Sequence, residues 1–216
     1  MQLVSKIVGK PKVIGFVGDV NTGKSNTLYY ILDELNRNYK YKLYYYGLRL
    51  DVEGQRVYSI RELEEIEDSF IIIDELSSLF DLDNRKNKKI IEQVFRLLNH
   101  NNNIIILCGT PENFKKFISG KLNMTIYKKC TIEDFINMSE IKNVLTNYKG
   151  YELGSTLLNL PINEALFYDG KHYHKIDIPY MKEFDSKAEN AEIFKPLVED
   201  NKGLNKNKES IKHGKP

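Results

Sequence analysis

From Val13 to Thr27 the chain reads Val-Ile-Gly-Phe-Val-Gly-Asp-Val-Asn-Thr-Gly-Lys-Ser-Asn-Thr, and no other stretch constrains the fold as tightly. Val13, Ile14, Phe16 and Val17 form a compact apolar run, the pattern of a strand buried on both faces. Beyond the loop, Leu28, Ile31, Leu32 and Leu35 recur at helical spacing and make one apolar stripe. Between them, Gly18-Asp19-Val20-Asn21-Thr22-Gly23-Lys24-Ser25 fits G-x-x-x-x-G-K-[ST], the phosphate-binding P-loop. Strand, glycine loop and helix stand in the order the motif requires.

That order has a physical purpose. A loop with glycine at both ends can curl so that successive backbone N–H groups point inward at phosphate oxygens. The helix starting near Gly23 adds its unpaired N–H groups and the positive end of its dipole. Lys24 is placed to reach the β- and γ-phosphates, and the Ser25 hydroxyl to take one position on Mg²⁺. The expected nucleotide-binding residues are Gly18, Asp19, Val20, Asn21, Thr22, Gly23, Lys24, Ser25 and Asn26.

A second anchor follows at Phe70-Ile71-Ile72-Ile73-Asp74-Glu75. Four bulky apolar residues followed by two carboxylates read as a buried parallel strand that delivers both acids at its C-terminal end, where open α/β sheets bind ligands. Asp74 would hold Mg²⁺, and Glu75 would orient and polarise an attacking water as general base. Alone, the pair could equally cap the next segment; with a P-loop upstream, two independent parts fit one machine.

The remaining elements fall in sequence. Gln2 to Val8 is expected as a short edge strand, and Lys42 to Tyr46 as a strand whose tyrosines pack the sheet. Leu48 to Arg56 reads as irregular. Ser59, with Glu62 as its capping-box partner, predicts a helix over residues 60–66. Ser77 to Asn87 reads as a polar link; its acidic residues lack the later glycine and glutamate of a calcium loop. An amphipathic helix through Ile90, Ile91, Val94, Leu97 and Leu98 leads to the polar turn at Asn99–Asn103. Ile104 to Cys108 is another buried strand, and Thr110 stands just past it as a γ-phosphate sensor or as a plain loop threonine.

Pro111-Glu112 opens a short helix, residues 124–129 make a further strand, and Thr131 with Asp134 caps the next helix. Asp169-Gly170 between two β-prone runs signals a hairpin across residues 165–179. His172 and His174 would share one strand face, but no third ligand accompanies them, so zinc is not favoured.

Composition narrows the class. The 216 residues are 41% hydrophobic and 29% charged, as for one globular domain with a tail, and the net charge of +2 does not by itself argue for nucleic acid. No run of about 18 apolar residues occurs, so no membrane-spanning helix is expected. Cys108 and Cys130 lack metal or redox spacing and are expected as buried thiols in a reducing cytoplasm. The expected domain covers residues 1–181. Residues 182–216 read as a flexible tail, with Lys202, Lys206, Lys208, Lys212 and Lys215 against Glu209 at its end.

In sum these residues predict an α/β P-loop NTPase: a mostly parallel sheet with helices on both faces and a C-terminal β-hairpin. The order P-loop, strand ending in Asp74-Glu75, helix, polar turn, strand, then Gly120-Lys-Leu-Asn-Met-Thr-Ile-Tyr-Lys-Lys resembles the FtsK/HerA-type ATPases. Size and layout look most like the small genome-packaging ATPases of membrane-containing viruses. The resemblance covers most of residues 10–180 and implies a Mg²⁺-dependent ATPase that forms a homo-oligomeric ring, usually a hexamer, and drives double-stranded DNA through its centre. Where that family usually ends its sensor strand in Gln, often followed by Arg, this chain has Thr110-Pro111, and Asn99 stands where an Arg often precedes the strand. Arg96, or else Arg85, could then serve as the arginine acting across subunits.

Two other functions fit the same nucleotide site: a slowly hydrolysing switch or assembly protein, and a small nucleotide-dependent kinase. The Glu after Asp74 and the lack of an arginine-rich lid weigh against the kinase.

Overall fold

Among the described residues, one eight-stranded sheet runs in the order β3-β2-β4-β5-β1-β6-β7-β8. The strands are β1 (Lys12–Val17), β2 (Lys42–Tyr46), β3 (Gln55–Arg56), β4 (Ser69–Ile73), β5 (Ile104–Gly109), β6 (Met124–Tyr127), β7 (Glu164–Tyr168) and β8 (Tyr173–Asp177). The structure, a computed structural model, describes residues 3–48, 54–74, 92, 93, 95, 96, 100–114, 118, 120–131, 133, 134 and 156–181. Glu75, Arg85, the Ser77–Asn87 link, most of the helix after it and the lysine-rich tail lie outside the described residues.

The first six strands in chain order pair in parallel, and β7 and β8 add an antiparallel hairpin beside β6. This is the mostly parallel sheet the sequence predicts. The central strands are apolar because both of their faces are covered: every residue of β4 and β5 is buried, as is β1 from Val13 onward. One face carries Val13, Val17, Ile71, Ile73, Ile105 and Leu107, packed in a single core cluster with Leu63, Ile66, Phe95, Ile118 and Leu157. By strand alternation the other face carries Ile14, Phe16, Phe70, Ile72 and Ile106. The buried stripe Leu28, Ile31, Leu32 and Leu35 of helix α2 (Lys24–Asn38) lies outside that cluster, so helical residues cover both faces.

Two local expectations change. Residues Leu3–Ile7 form a helix, α1, rather than an edge strand. Leu3, Val4 and Ile7 are its buried residues, a spacing that suits one helical face and not the strict alternation of a strand. Within the stretch read as irregular, Gln55–Arg56 adds the two-residue edge strand β3, where the Arg56 guanidinium lies 5.6 Å from the Tyr45 ring centre. A strand this short has no period to read.

The caps agree with the sequence. Ser59 Oγ accepts from Glu62 N at 3.4 Å and starts helix α3 (Ile60–Glu64), while the Glu62 carboxylate accepts from Tyr58 N at 3.2 Å. Thr131 and Asp134 exchange bonds at 2.7 Å and 3.3 Å. At the hairpin, Asp169 Oδ1 accepts from Lys171 N and His172 N at 2.9 Å and 2.8 Å, and Gly170 takes φ +93°. Tyr45 is buried and Tyr44 and Tyr46 pack against the core, as sheet residues rather than exposed stacking groups. Both cysteines are buried and are not joined in a disulfide.

Candidate nucleotide site

The register brings the two anchors to one edge of the sheet. β5 lies between β1 and β4, with Val17 opposite Gly109 and Ile73 opposite Leu107. Gly18, Thr110 and Asp74 therefore leave their strands at the same C-terminal end. Two strand spacings separate the P-loop strand from the aspartate strand, roughly 10 Å.

The loop is stitched to both neighbours at its base. Gly18 N donates to Gly109 O at 3.3 Å on one side, and Asp19 N to Lys129 O at 3.0 Å on the other. Inside the loop, Thr22 Oγ1 donates to Asp19 O and Val20 N to Asp19 Oδ1, each at 2.7 Å. Asn21 and Gly23 both take positive φ, 60° and 84°, and curl the backbone into a concave turn. Gly23 is the N-cap of α2 and offers no side-chain cap, and the first turn of α2 holds no acidic residue. Helix N–H groups left without a side-chain cap are the donors an anion uses.

Two glycines are sterically required here. A Cβ on Gly18 would lie 2.6 Å from Lys128 Cβ and 3.0 Å from Thr22 Oγ1. A Cβ on Gly23 would lie 2.8 Å from both Ile162 Cγ1 and Ile162 O, and its φ already favours glycine. Lys24 Nζ folds over the loop and donates to Gly18 O at 2.8 Å and Asp19 O at 2.7 Å. Charge-assisted bonds to phosphate oxygens are stronger than bonds to neutral carbonyls, so this ammonium is set to exchange partners when phosphate enters. Uncapped helix donors, a concave glycine turn and an ammonium folded over it suit a nucleotide's phosphates.

The other expected site residues fall as follows. Val20 is exposed at the loop tip, and Ser25 is exposed in the first turn of α2. Asn26 turns its side chain away, donating to Pro179 O at 3.0 Å and accepting from Met181 N at 2.7 Å. Asp74 is half-buried one residue past β4, with its N–H on Tyr46 O at 2.9 Å. Thr110 Oγ1 lies 3.1 Å from Asn113 Oδ1 and 3.3 Å from Glu112 Oε1, and Thr110 starts the 3-10 turn Pro111–Asn113. Arg96 is exposed in a helical stretch whose Phe95 is buried. His174 Nε2 lies 2.8 Å from Asp169 Oδ2.

One residue beside the loop was passed over in the sequence reading. Lys128, just beyond β6, is fully buried and donates from Nζ to Ile162 O at 2.7 Å and Glu164 O at 2.6 Å. Its N–H continues the parallel ladder onto Val17 O at 2.8 Å. Burial pushes its ammonium down from 10.5 to about 8, with the nearby Glu164 carboxylate acting in the opposite direction. Alternation could have found it, because Ile126 is core and Lys128 points the same way.

A parallel sheet with one strand inserted between the P-loop strand and the aspartate strand, a glycine cradle and a helix N-terminus over it define a P-loop NTPase fold. Three solved structures show how closely this arrangement is shared. The DNA-packaging ATPase B204 from Sulfolobus Turreted Icosahedral Virus superposes with a TM-score of 0.60 at 13% identity, over 80% of this chain and 100% of that one. The genome packaging NTPase B204 from Sulfolobus turreted icosahedral virus 2, in complex with ATP-γ-S, gives 0.56 at 14% identity, over 81% and 100%. The pCW3 conjugation coupling protein TcpA with ATPγS gives 0.51 at 17% identity, over 83% of this chain and 62% of that one. The resemblance to FtsK/HerA-type and viral packaging ATPases read from the sequence is thus borne out in the fold. No family model matches the sequence, and no curated protein does. Among the described residues no helix is long and apolar enough to cross a membrane.

Proposed function

We propose that this chain is an ATP-hydrolysing motor that translocates or packages double-stranded DNA, acting as a homo-oligomeric ring. The observation that carries the reading is the shared sheet edge: the P-loop after β1, Asp74 after β4, and β5 between them. Gly18 to Ser25 would hold the phosphates through backbone N–H groups and the Lys24 ammonium. The Ser25 hydroxyl and the Asp74 carboxylate would hold Mg²⁺, which when bound neutralises charge across the β- and γ-phosphates. Glu75, next along the chain from Asp74, takes the proton of the attacking water. Thr110, which follows the Gly109 whose carbonyl accepts from Gly18 N, would sense the γ-phosphate, with its local bonds to Glu112 and Asn113 as the alternative set. Arg96, exposed on its helix, is the candidate to stabilise the phosphates of a neighbouring subunit.

That the structural neighbours include a DNA-packaging ATPase and a conjugation coupling protein supports DNA as the partner. The test is ATP hydrolysis with and without double-stranded DNA, beside Glu75→Gln. Stimulation by DNA that disappears in the variant is expected, with ATP binding retained. Hydrolysis indifferent to DNA would refute the motor and leave a different partner; no hydrolysis by an ATP-bound wild type would favour the switch.

A further inference from the structure

We infer that Lys128 is a buried second cation of the phosphate site, strengthening nucleotide binding by its charge through the floor of the P-loop. The inference rests on the nucleotide-binding reading above and adds to it a residue outside the motif.

The geometry is specific. The Lys128 stem runs beneath the loop, with its Cβ against Gly18 at one end and its Cε 3.6 Å from where a Gly23 Cβ would stand at the other. Those two glycines bound the phosphate cradle. Beyond Gly23 the ammonium is fixed by the carbonyls of Ile162 and Glu164, so it cannot swing away. The residue has no exposed surface. A buried charge is costly, and an apolar side chain of similar length would fill this volume more cheaply. Two carbonyl acceptors do not require a charge either, because a neutral amine still has two N–H donors. The Glu164 carboxylate offsets part of that cost, but it is itself paired with Lys175, so packing and pairing leave part of the charge unexplained. Set under a cradle that receives a polyanion, in a medium of low dielectric, it acts on the phosphates without touching them.

The surrounding groups are Glu164 on β7, paired with Lys175 of β8 at 2.6 Å, and Asp19 and Lys24 of the loop and α2. Beyond β6 lie Lys129, Asp134 and Cys130, whose thiol donates to Lys128 O at 3.3 Å and is pushed up to about 12, chiefly by burial. The Cys130 thiol therefore stays neutral while the Lys128 ammonium loses its proton near 8. Because the amine keeps both carbonyl bonds, raising the pH removes the charge and leaves the strut.

The experiment is ATPγS binding by titration calorimetry from about pH 7 to about pH 9.5, for the full chain and for Lys128→Met. Wild-type affinity should fall roughly tenfold across that window, with proton uptake on binding in its middle. Lys128→Met should bind more weakly at neutral pH, with that step and the proton uptake gone. A flat wild-type profile, or a step that persists unchanged in Lys128→Met, would overturn the inference while leaving nucleotide binding intact. Absence of wild-type binding at every pH would overturn the nucleotide reading and this inference with it. Should Lys128→Met fail to fold, the same comparison is made with Lys128→Gln, a neutral side chain that still carries N–H donors, and the same outcomes decide.

Discussion

Asn26 accepts a hydrogen bond from the backbone N–H of Met181 at 2.7 Å, joining residues 155 positions apart in the chain. Its amide nitrogen donates to Pro179 O at 3.0 Å, so one side chain fastens the exit of the hairpin to the first turns of α2. Position alone placed Asn26 among the nucleotide-binding residues, since it follows the loop serine. Its side chain is held by the hairpin exit. Asn26→Ala should lower the free energy of unfolding by about 1 kcal/mol in urea titration, with ATPγS affinity little changed. Asn26→Asp, which keeps the acceptor for Met181 and loses the donor to Pro179, should fall between the two.

Asn103 gives a larger effect at the opposite end of the strands. It is fully buried, its Oδ1 accepts from Ser69 N at 3.0 Å, and its Nδ2 donates to Ile66 O at 2.6 Å. Its own carbonyl receives Lys12 N at 3.2 Å, so it ties the starts of β4, β5 and β1. Asn103→Ala leaves the buried Ser69 N–H without its acceptor, while Ile66 O keeps the Asn101 Nδ2 donor at 3.3 Å, and should cost about 1–3 kcal/mol by denaturant unfolding. A cost below that of an exposed substitution would mean that water replaces the amide.

Gly47 controls Asp74 by contact. It takes φ +78°, and a Cβ there would collide with the Asp74 carbonyl oxygen. Gly47→Ala adds a positive-φ cost of about 1 kcal/mol to a clash with the Asp74 backbone, which is relieved only by displacing the end of β4. If Asp74 holds Mg²⁺, the variant needs more Mg²⁺ for half-maximal hydrolysis while its ATP binding without metal is unchanged. Equal Mg²⁺ requirements would argue against Asp74 as a ligand.

The sequence made the central elements legible because their signals are local and strong. β2 matches its expected bounds, and β1, β4, β5 and β6 lie within one or two residues of theirs. Apolar runs bounded by glycine and polar turns leave little choice of register in a sheet covered on both faces. What stayed hidden depends on partners distant in sequence. The turn asparagine Asn103 looks like any polar loop residue until Ser69 and Ile66 are brought to it. Lys128 and Lys129 are indistinguishable by composition, yet one is buried and the other exposed. The destination of the Asn26 side chain required the hairpin to be placed first.

Lys128 also gives a stability prediction whose sign is opposite to its effect on nucleotide affinity. Its folded-state value, about 8, lies below the ordinary 10.5, because burial disfavours the charged form. Between those values the unfolded chain holds more protons than the folded one, so this group's contribution to stability rises with pH. Below the folded value the penalty for the buried ammonium is fully present; above the ordinary value it is gone. The window spans up to about 3 kcal/mol. Other lysines and tyrosines titrate there too, so the measurement is the difference between wild type and Lys128→Met. Urea unfolding at intervals from about pH 7.5 to about pH 10 should show wild type gaining on the variant as pH rises. ATPγS affinity of the wild type should fall over the same interval. A lysine buried only to brace the hairpin would give the first trend without the second, because deprotonation leaves both carbonyl bonds in place. Opposed trends in one protein therefore separate a charge kept for the phosphates from a strut kept for the fold.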